Sequence, residues 1–157
     1  MRILIDTSVL VRRSHLDSPN ASSAALAVKR ITLFGLEGCV VPQVLYEYWV
    51  VATRPAERNG LGFSASRVEN DLLQFVEQYT LLRGERKVFG HWLDLVSEYQ
   101  VVGKNAHDAR LVATMQRHGI PTILTLNARD FRRYSGITVY TPENLPEDLD
   151  SLDGPSE

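Results

Sequence analysis

Residues 102–131, VGKNAHDARLVATMQRHGIPTILTLNARDF, constrain the fold more than any other stretch of the chain. Gly103 marks a turn, Asn105 is a candidate N-cap, and apolar spacing predicts a helix over 105–118. The Gly119-Ile120-Pro121 break stops it. A short apolar strand is expected at 122–126, then a polar turn carrying Asn127 and Asp130. Helix, break, strand and acid-bearing loop make half of an α/β unit. Asp108 lies in line with Leu111, Val112 and Met115 at i+3, i+4 and i+7, so its carboxylate tops the inward stripe. A carboxylate aimed at a core needs a cation, a hydrogen-bond donor or a chemical task.

The rest of the chain repeats this alternation. Residues 2–5 (RILI) read as a buried parallel strand that ends abruptly at Asp6-Thr7-Ser8. Residues 9–16 read as a connector, and Ser18-Pro19 as the N-cap and first position of a helix reaching about Phe34. A strand at 39–41 leads to Pro42, which opens a helix through Thr53. Residues 54–66, with two Gly, one Pro and two Arg, form the loop-rich stretch. Ser64 or Ser66 then caps a helix to about Tyr79, followed by a strand at 80–82, a helix at 88–99, and a last strand at 137–140. Strands alternating with helices predict a central parallel sheet of four or five strands, covered on both faces. Ligands of such sheets bind outside the carboxyl ends of the strands. That rule alone brings Asp6 together with Asn127 and Asp130.

At 157 residues and 44% hydrophobic, the chain suits one domain, expected over 1–145, with 146–157 as a solvated acidic tail. Five of the nineteen acids and none of the seventeen bases fall in that tail, leaving the body basic by three. No apolar run approaches the roughly 20 residues of a membrane span, and no signal pattern opens the chain, so a cytoplasmic protein is expected. The single cysteine, Cys39, excludes an internal disulfide and a multi-cysteine zinc site.

Four acids stand out. Asp6 closes the first strand, although an Asp there can also serve as a turn former beside Thr7 and Ser8. Glu47 sits in a helix without Lys or Arg, among Val44, Val50 and Val51. Asp108 has the spacing of a capping box with Asn105, which is compatible with metal ligation at a helix N-terminus. Asp130 precedes an arginine-rich stretch. Carboxylates converging in one cleft repel one another unless a cation is present. Oxygen ligands without clustered Cys or His select Mg²⁺ or Mn²⁺ over zinc. Histidines 15, 91, 107 and 118 show no ligand spacing.

Asp6-Thr-Ser, Glu47 in an aromatic helix, Gly103-Lys-Asn-Ala-His-Asp108-Ala-Arg-Leu and Thr125-Leu-Asn127-Ala-Arg-Asp130-Phe together resemble a PIN domain. In particular they resemble the VapC-type ribonuclease toxins of bacterial toxin–antitoxin pairs. The resemblance covers about residues 2–142, and it rests on the order and separation of the motifs. It implies a three-layer PIN-like α/β/α fold and a Mg²⁺- or Mn²⁺-dependent endoribonuclease. Asp6, Glu47 and Asp108 match the family's catalytic and metal-holding acids. Asn127 stands where many members have Asp, so either Asn127 or Asp130 completes the metal set. Ser8 and Thr125 match hydroxyl positions lining the cleft. Arg12, Arg13, Arg54 and Arg129 fall on segments expected near the strand ends, where they could grip RNA phosphates. An antitoxin protein and a homodimer are the implied partners.

Three rival readings follow from the same residues. The Asn127 departure would suit a catalytically weak PIN-like module that binds RNA or protein. A housekeeping RNA-processing nuclease would share every motif. An aspartyl phosphatase would want a second acid two residues after Asp6, where Ser8 stands.

Overall fold

A computed structural model describes residues 1–147. Five parallel strands, β1 (Arg2–Ile5), β2 (Glu37–Val40), β3 (Thr80–Leu81), β4 (Thr122–Leu124) and β5 (Thr138–Tyr140), form one sheet in the order β3-β2-β1-β4-β5. Its centre, β1, pairs with β2 on one side and β4 on the other, with Leu4 opposite both Cys39 and Ile123. Ile3, Leu4, Ile5, Ile123 and Leu124 have no exposed surface, which accounts for their continuous apolar runs.

Seven helices connect these strands among the described residues: α1 (Thr7–Ser14), α2 (Ala21–Leu33), α3 (Pro42–Thr53), α4 (Ala65–Gln78), α5 (Val88–Glu98), α6 (Asn105–His118) and α7 (Ala128–Phe131). Parallel crossovers are right-handed. The chain steps from β1 to β2 to β3 in one direction, which puts α1–α4 on one face. It then returns to β4 and β5 in the other direction, which puts α5–α7 on the opposite face. The contacts divide the same way: α1 packs on α2 and α3, and α3 on α4, while α5 packs on α6 and α6 on α7. This is the expected three-layer α/β/α architecture. One hydrophobic cluster runs from Ile3 to Leu145. The strand order reverses between β1 and β4, so the crevice at their carboxyl ends is the topological switch point.

The sequence reading needs three local corrections. Residues 7–14 are helix α1 rather than part of a connector: the Asp6 carbonyl accepts from the amides of Val9 and Leu10, and both side chains are fully buried. Ser18 does not cap α2, because Arg12 donates to its hydroxyl at 2.7 Å and the helix starts three residues later. Asn105 is the first residue of α6 and not its cap. No side chain caps that end, which leaves Asp108 free of a capping box. Ser64 does cap α4, accepting from the Arg67 amide at 3.2 Å.

The acidic segment lies mainly in 148–157, outside the described residues. Glu147, at its start, pairs with Arg30 at 3.4 Å. Among the described residues no helix is long and apolar enough to cross a membrane.

The loop after α3 is folded rather than slack. It curls back through a 3₁₀ turn (Ala56–Arg58), and the amides of Leu61, Phe63 and Gly62 bond the carbonyls of Val51, Ala52 and Arg54. A Cβ at Gly60 would lie 1.9 Å from the Arg54 carbonyl oxygen. Gly60→Ala is therefore expected to destabilise the chain by about 1–3 kcal/mol, as other overpacking changes do. A urea midpoint equal to that of the wild type would show that the loop shifts freely.

Candidate functional site

The site is built on the ends of β1 and β4. Asp6 follows β1 directly and is 6% exposed. One of its oxygens, Oδ2, accepts hydrogen bonds from Ser8 Oγ at 2.5 Å and Thr125 Oγ1 at 2.7 Å. Each hydroxyl also accepts a backbone amide, Ser8 that of Leu126 and Thr125 that of Asn127, both at 3.0 Å. The two hydroxyls thus clasp the end of β1 to the segment leaving β4. Burial pushes the Asp6 carboxyl above its ordinary range. The two hydroxyl bonds work against that rise, and the nearby Glu47 charge adds to it.

Glu47 projects from α3 into the same crevice. Its oxygens accept from Thr7 Oγ1 and from Gln43 Nε2, each at 2.9 Å. Gln43, one helical turn earlier and almost buried, also donates to the His107 carbonyl at 2.9 Å and accepts from Arg110 Nη1 at 2.8 Å. Arg110 in turn pairs with Glu85 at 2.6 Å. Trp92 donates to the Ala106 carbonyl at 2.9 Å and braces the first turn of α6 from α5. Thr7, Gln43 and Arg110 were not singled out as site residues in the sequence. Thr7 carried a faint signal in its place between Asp6 and Ser8, and Gln43 in its four-residue spacing from Glu47. Only the fold brings Arg110 to Gln43.

Asp108 enters from the first turn of α6. Burial pushes its carboxyl up to about 6, helped by the negative charges of Asp130, Asp6 and Glu47. Among the described residues no Arg or Lys forms an ion pair with any of these four acids; the ion pairs there involve Glu37, Glu85, Asp71 and Glu147.

Asp6, Glu47, Asp108 and Asn127 line one cleft of about 590 Å³. Its other walls are Thr7, Ser8, the apolar Val11, Val50, Val51 and Leu126, the ring of Tyr46, and the guanidinium side chains of Arg12 and Arg54. Asp130 is not a wall residue and acts on the cleft through its charge on Asp108. Of the other arginines, Arg13 turns away: it donates to Gln78 Oε1 and the Tyr79 hydroxyl, tying α1 to the end of α4. Arg129 is exposed and outside the cleft wall.

Among the described residues no three acids, histidines or cysteines are grouped closely enough to enclose an ion as they stand. The acids share a cleft without forming a preformed cage. Their chemistry nonetheless fits a hard divalent cation. The donors are carboxylate oxygens and one amide, with neither Cys nor His, and Asp108 is held above its ordinary range by burial first and by the neighbouring acids second.

Comparison with known proteins agrees with the fold. Residues 3–137 match the PIN domain family. The chain is 32% identical over 150 residues to Ribonuclease VapC48 of Mycobacterium tuberculosis, covering 87% of this chain and 94% of that protein. Its fold is similar to VapBC-1 from nontypeable Haemophilus influenzae, with a TM-score of 0.68 at 11% identity, covering 91% of this chain and 99% of that one. It is also similar to VapC20 of M. tuberculosis, a toxin that cleaves the sarcin-ricin loop, with a TM-score of 0.54 at 16% identity, covering 83% and 93%.

A raised carboxyl favours the protonated form in the folded chain. The Asp108 contribution to stability is thus fullest below its ordinary value near 3.8 and is lost as pH rises through about 6. In EDTA, Asp108→Asn is expected to melt at a higher temperature than wild type at about pH 7.5, with the gain shrinking by about pH 4.5. Identical melting of the two proteins at both values would mean that Asp108 carries no strain of charge.

Proposed function

We propose, for a chain that belongs to the PIN domain family, that the cleft hydrolyses RNA phosphodiester bonds with a divalent cation, Mg²⁺ or Mn²⁺, held by its acids. The observation that carries this reading is the convergence of Asp6, Glu47 and Asp108, from the end of β1, α3 and α6, on one cleft, with no ion pair to any of them among the described residues. Ribonuclease VapC48, matched across most of both chains, adds support for RNA as the substrate.

Asp6, Glu47 and Asp108 would hold the cation, with the Asn127 side-chain oxygen as a neutral fourth donor and Asp130 adding charge from behind. When bound, the cation offsets charge on the phosphate and makes water a better nucleophile near neutral pH. The protein's own groups do the positioning. Ser8 and Thr125 fix the Asp6 carboxylate through one of its oxygens, Oδ2. Thr7 and Gln43 fix Glu47, whose remaining lone pairs orient the attacking water. Arg12 and Arg54, which line the same cleft, grip the flanking phosphates. Cleavage in this geometry would leave 5′-phosphate and 3′-hydroxyl ends. VapC20 is a toxin, and the same role, with a cognate antitoxin as protein partner, is the biological setting proposed here.

Asp6→Asn and Asp108→Asn are each expected to lower RNA cleavage by about 100-fold or more, with folding retained. EDTA should silence the wild type and Mn²⁺ should restore it. Full activity of either variant, or cleavage indifferent to chelation, would sink the mechanism.

Gln43 acts through Glu47, so Gln43→Ala is expected to lower kcat about tenfold and to raise the Mg²⁺ concentration needed for half-maximal activity. An unchanged Mg²⁺ requirement would reduce Gln43 to a packing role.

A further inference from the structure

A second cavity adjoins the acid cleft. Val11, Arg12 and Val51 line both, and the second has a volume of about 620 Å³. Both volumes fall in the size range of small-ligand sites, about 300–1,000 Å³. The far cavity opens between the turn joining α1 to α2, which supplies His15 and Asp17, and the loop after α3, which supplies Asn59 and Leu61.

Each bank of this cavity is tied down. On the first, the Ser18 amide bonds the His15 carbonyl at 2.9 Å, and Arg12 holds the Ser18 hydroxyl at 2.7 Å. On the second, the loop amides bond the last carbonyls of α3. Arg12 stands at the junction and, among the described residues, has no carboxylate partner. Beyond it the chemistry changes. Leu61 offers an apolar face, while the side chains of His15 and Asn59 are exposed and, among the described residues, make no hydrogen bond. The carboxylate of Asp17 on the same wall disfavours a phosphate there and can accept from an exocyclic amino group. A flat ring with a hydrogen-bonding edge suits such a wall, and single-stranded RNA is read in this way, by stacking and by base edges.

We propose that this second cavity receives the base of the unpaired nucleotide beside the scissile phosphate, with Arg12 gripping the backbone between the two cavities. The proposal rests on the ribonuclease reading and adds to it where one flank of the cut is selected.

The test uses the full chain with Mg²⁺ and single-stranded RNA oligonucleotides randomised around the cut. His15→Ala and Asn59→Gly remove the two exposed side chains. Asn59 has φ 61, a conformation that glycine adopts freely, so its substitution leaves the loop unstrained. Each variant is expected to raise KM about tenfold with kcat nearly unchanged, and to flatten base preference on one side of the cut. Variants that melt like the wild type and keep its KM and base preference would overturn the subsite while leaving the nuclease intact. A wild-type chain that leaves every RNA whole would remove the nuclease reading and the subsite with it.

Discussion

The structure depends on a carboxylate buried where a central strand ends. Removing Asp6 from water is costly, since an isolated buried charge is among the least favourable groups in a protein interior. Two hydroxyls offset part of that cost with short hydrogen bonds to its carboxyl group. Neither hydroxyl serves Asp6 alone. Because Ser8 and Thr125 also accept the amides of Leu126 and Asn127, the polar groups exposed by the end of β4 are satisfied by the contacts that hold the acid. The ends of β1 and β4 are thereby locked together at the point where strand order reverses, and the crevice acquires a fixed floor. What the hydroxyls do not offset remains as the raised pKa of Asp6.

The other two acids differ from Asp6 in how they are held, and this divides their properties. Glu47 has a donor on each oxygen and is braced through Gln43 to both the α6 backbone and Arg110. Among the described residues Asp108 has no such brace. The N-terminal turn of α6 favours its ionised form, but burial and three neighbouring negative charges outweigh that field and carry it to about 6. The cleft therefore contains two carboxylates anchored by hydrogen bonds and one left responsive to charge. A cation entering such a cleft would favour the ionised forms of both Asp6 and Asp108, whose carboxyls burial and neighbouring charge hold above their ordinary range.

Much of this was legible in the sequence, for identifiable reasons. Strand identity followed from continuous apolar runs, and α3, α4 and α6 from Pro42, Ser64 and Gly119, whose roles are set by local backbone chemistry. The meeting of Asp6 with the β4 loop followed from parallel-sheet topology alone. Helix α1 was not legible because eight residues give too little periodicity, and its two fully buried residues, Val9 and Leu10, are adjacent rather than spaced. The Ser18 cap failed because a tertiary partner, Arg12, took the hydroxyl. Gln43 and Arg110 lie 67 positions apart, and no local signal joins them. Arg12 and Arg13 make the same point. Neighbours in sequence, they point about 100° apart on a helix, so one lines the cleft while the other is tied to Gln78 and Tyr79 on α4.

The distribution of cations completes the electrostatic picture. Arg2, Arg30, Arg67 and Arg110 pair with carboxylates away from the cleft. Arg12 and Arg54 line the cleft, and among the described residues they have no such partner. The groove thus sets negative charge at its floor against positive charge along its wall. A phosphodiester approaching the acids alone would be repelled. Approaching along the arginines, it is attracted until it reaches the floor, where, under the ribonuclease reading, a divalent cation would reverse the sign and let contact be made. Metal and nucleic acid would then depend on each other for entry, since each supplies the charge that the other's site lacks. A cleft whose acids were already neutralised by lysine or arginine would hold RNA without need of an ion, and would have lost the means to cut it.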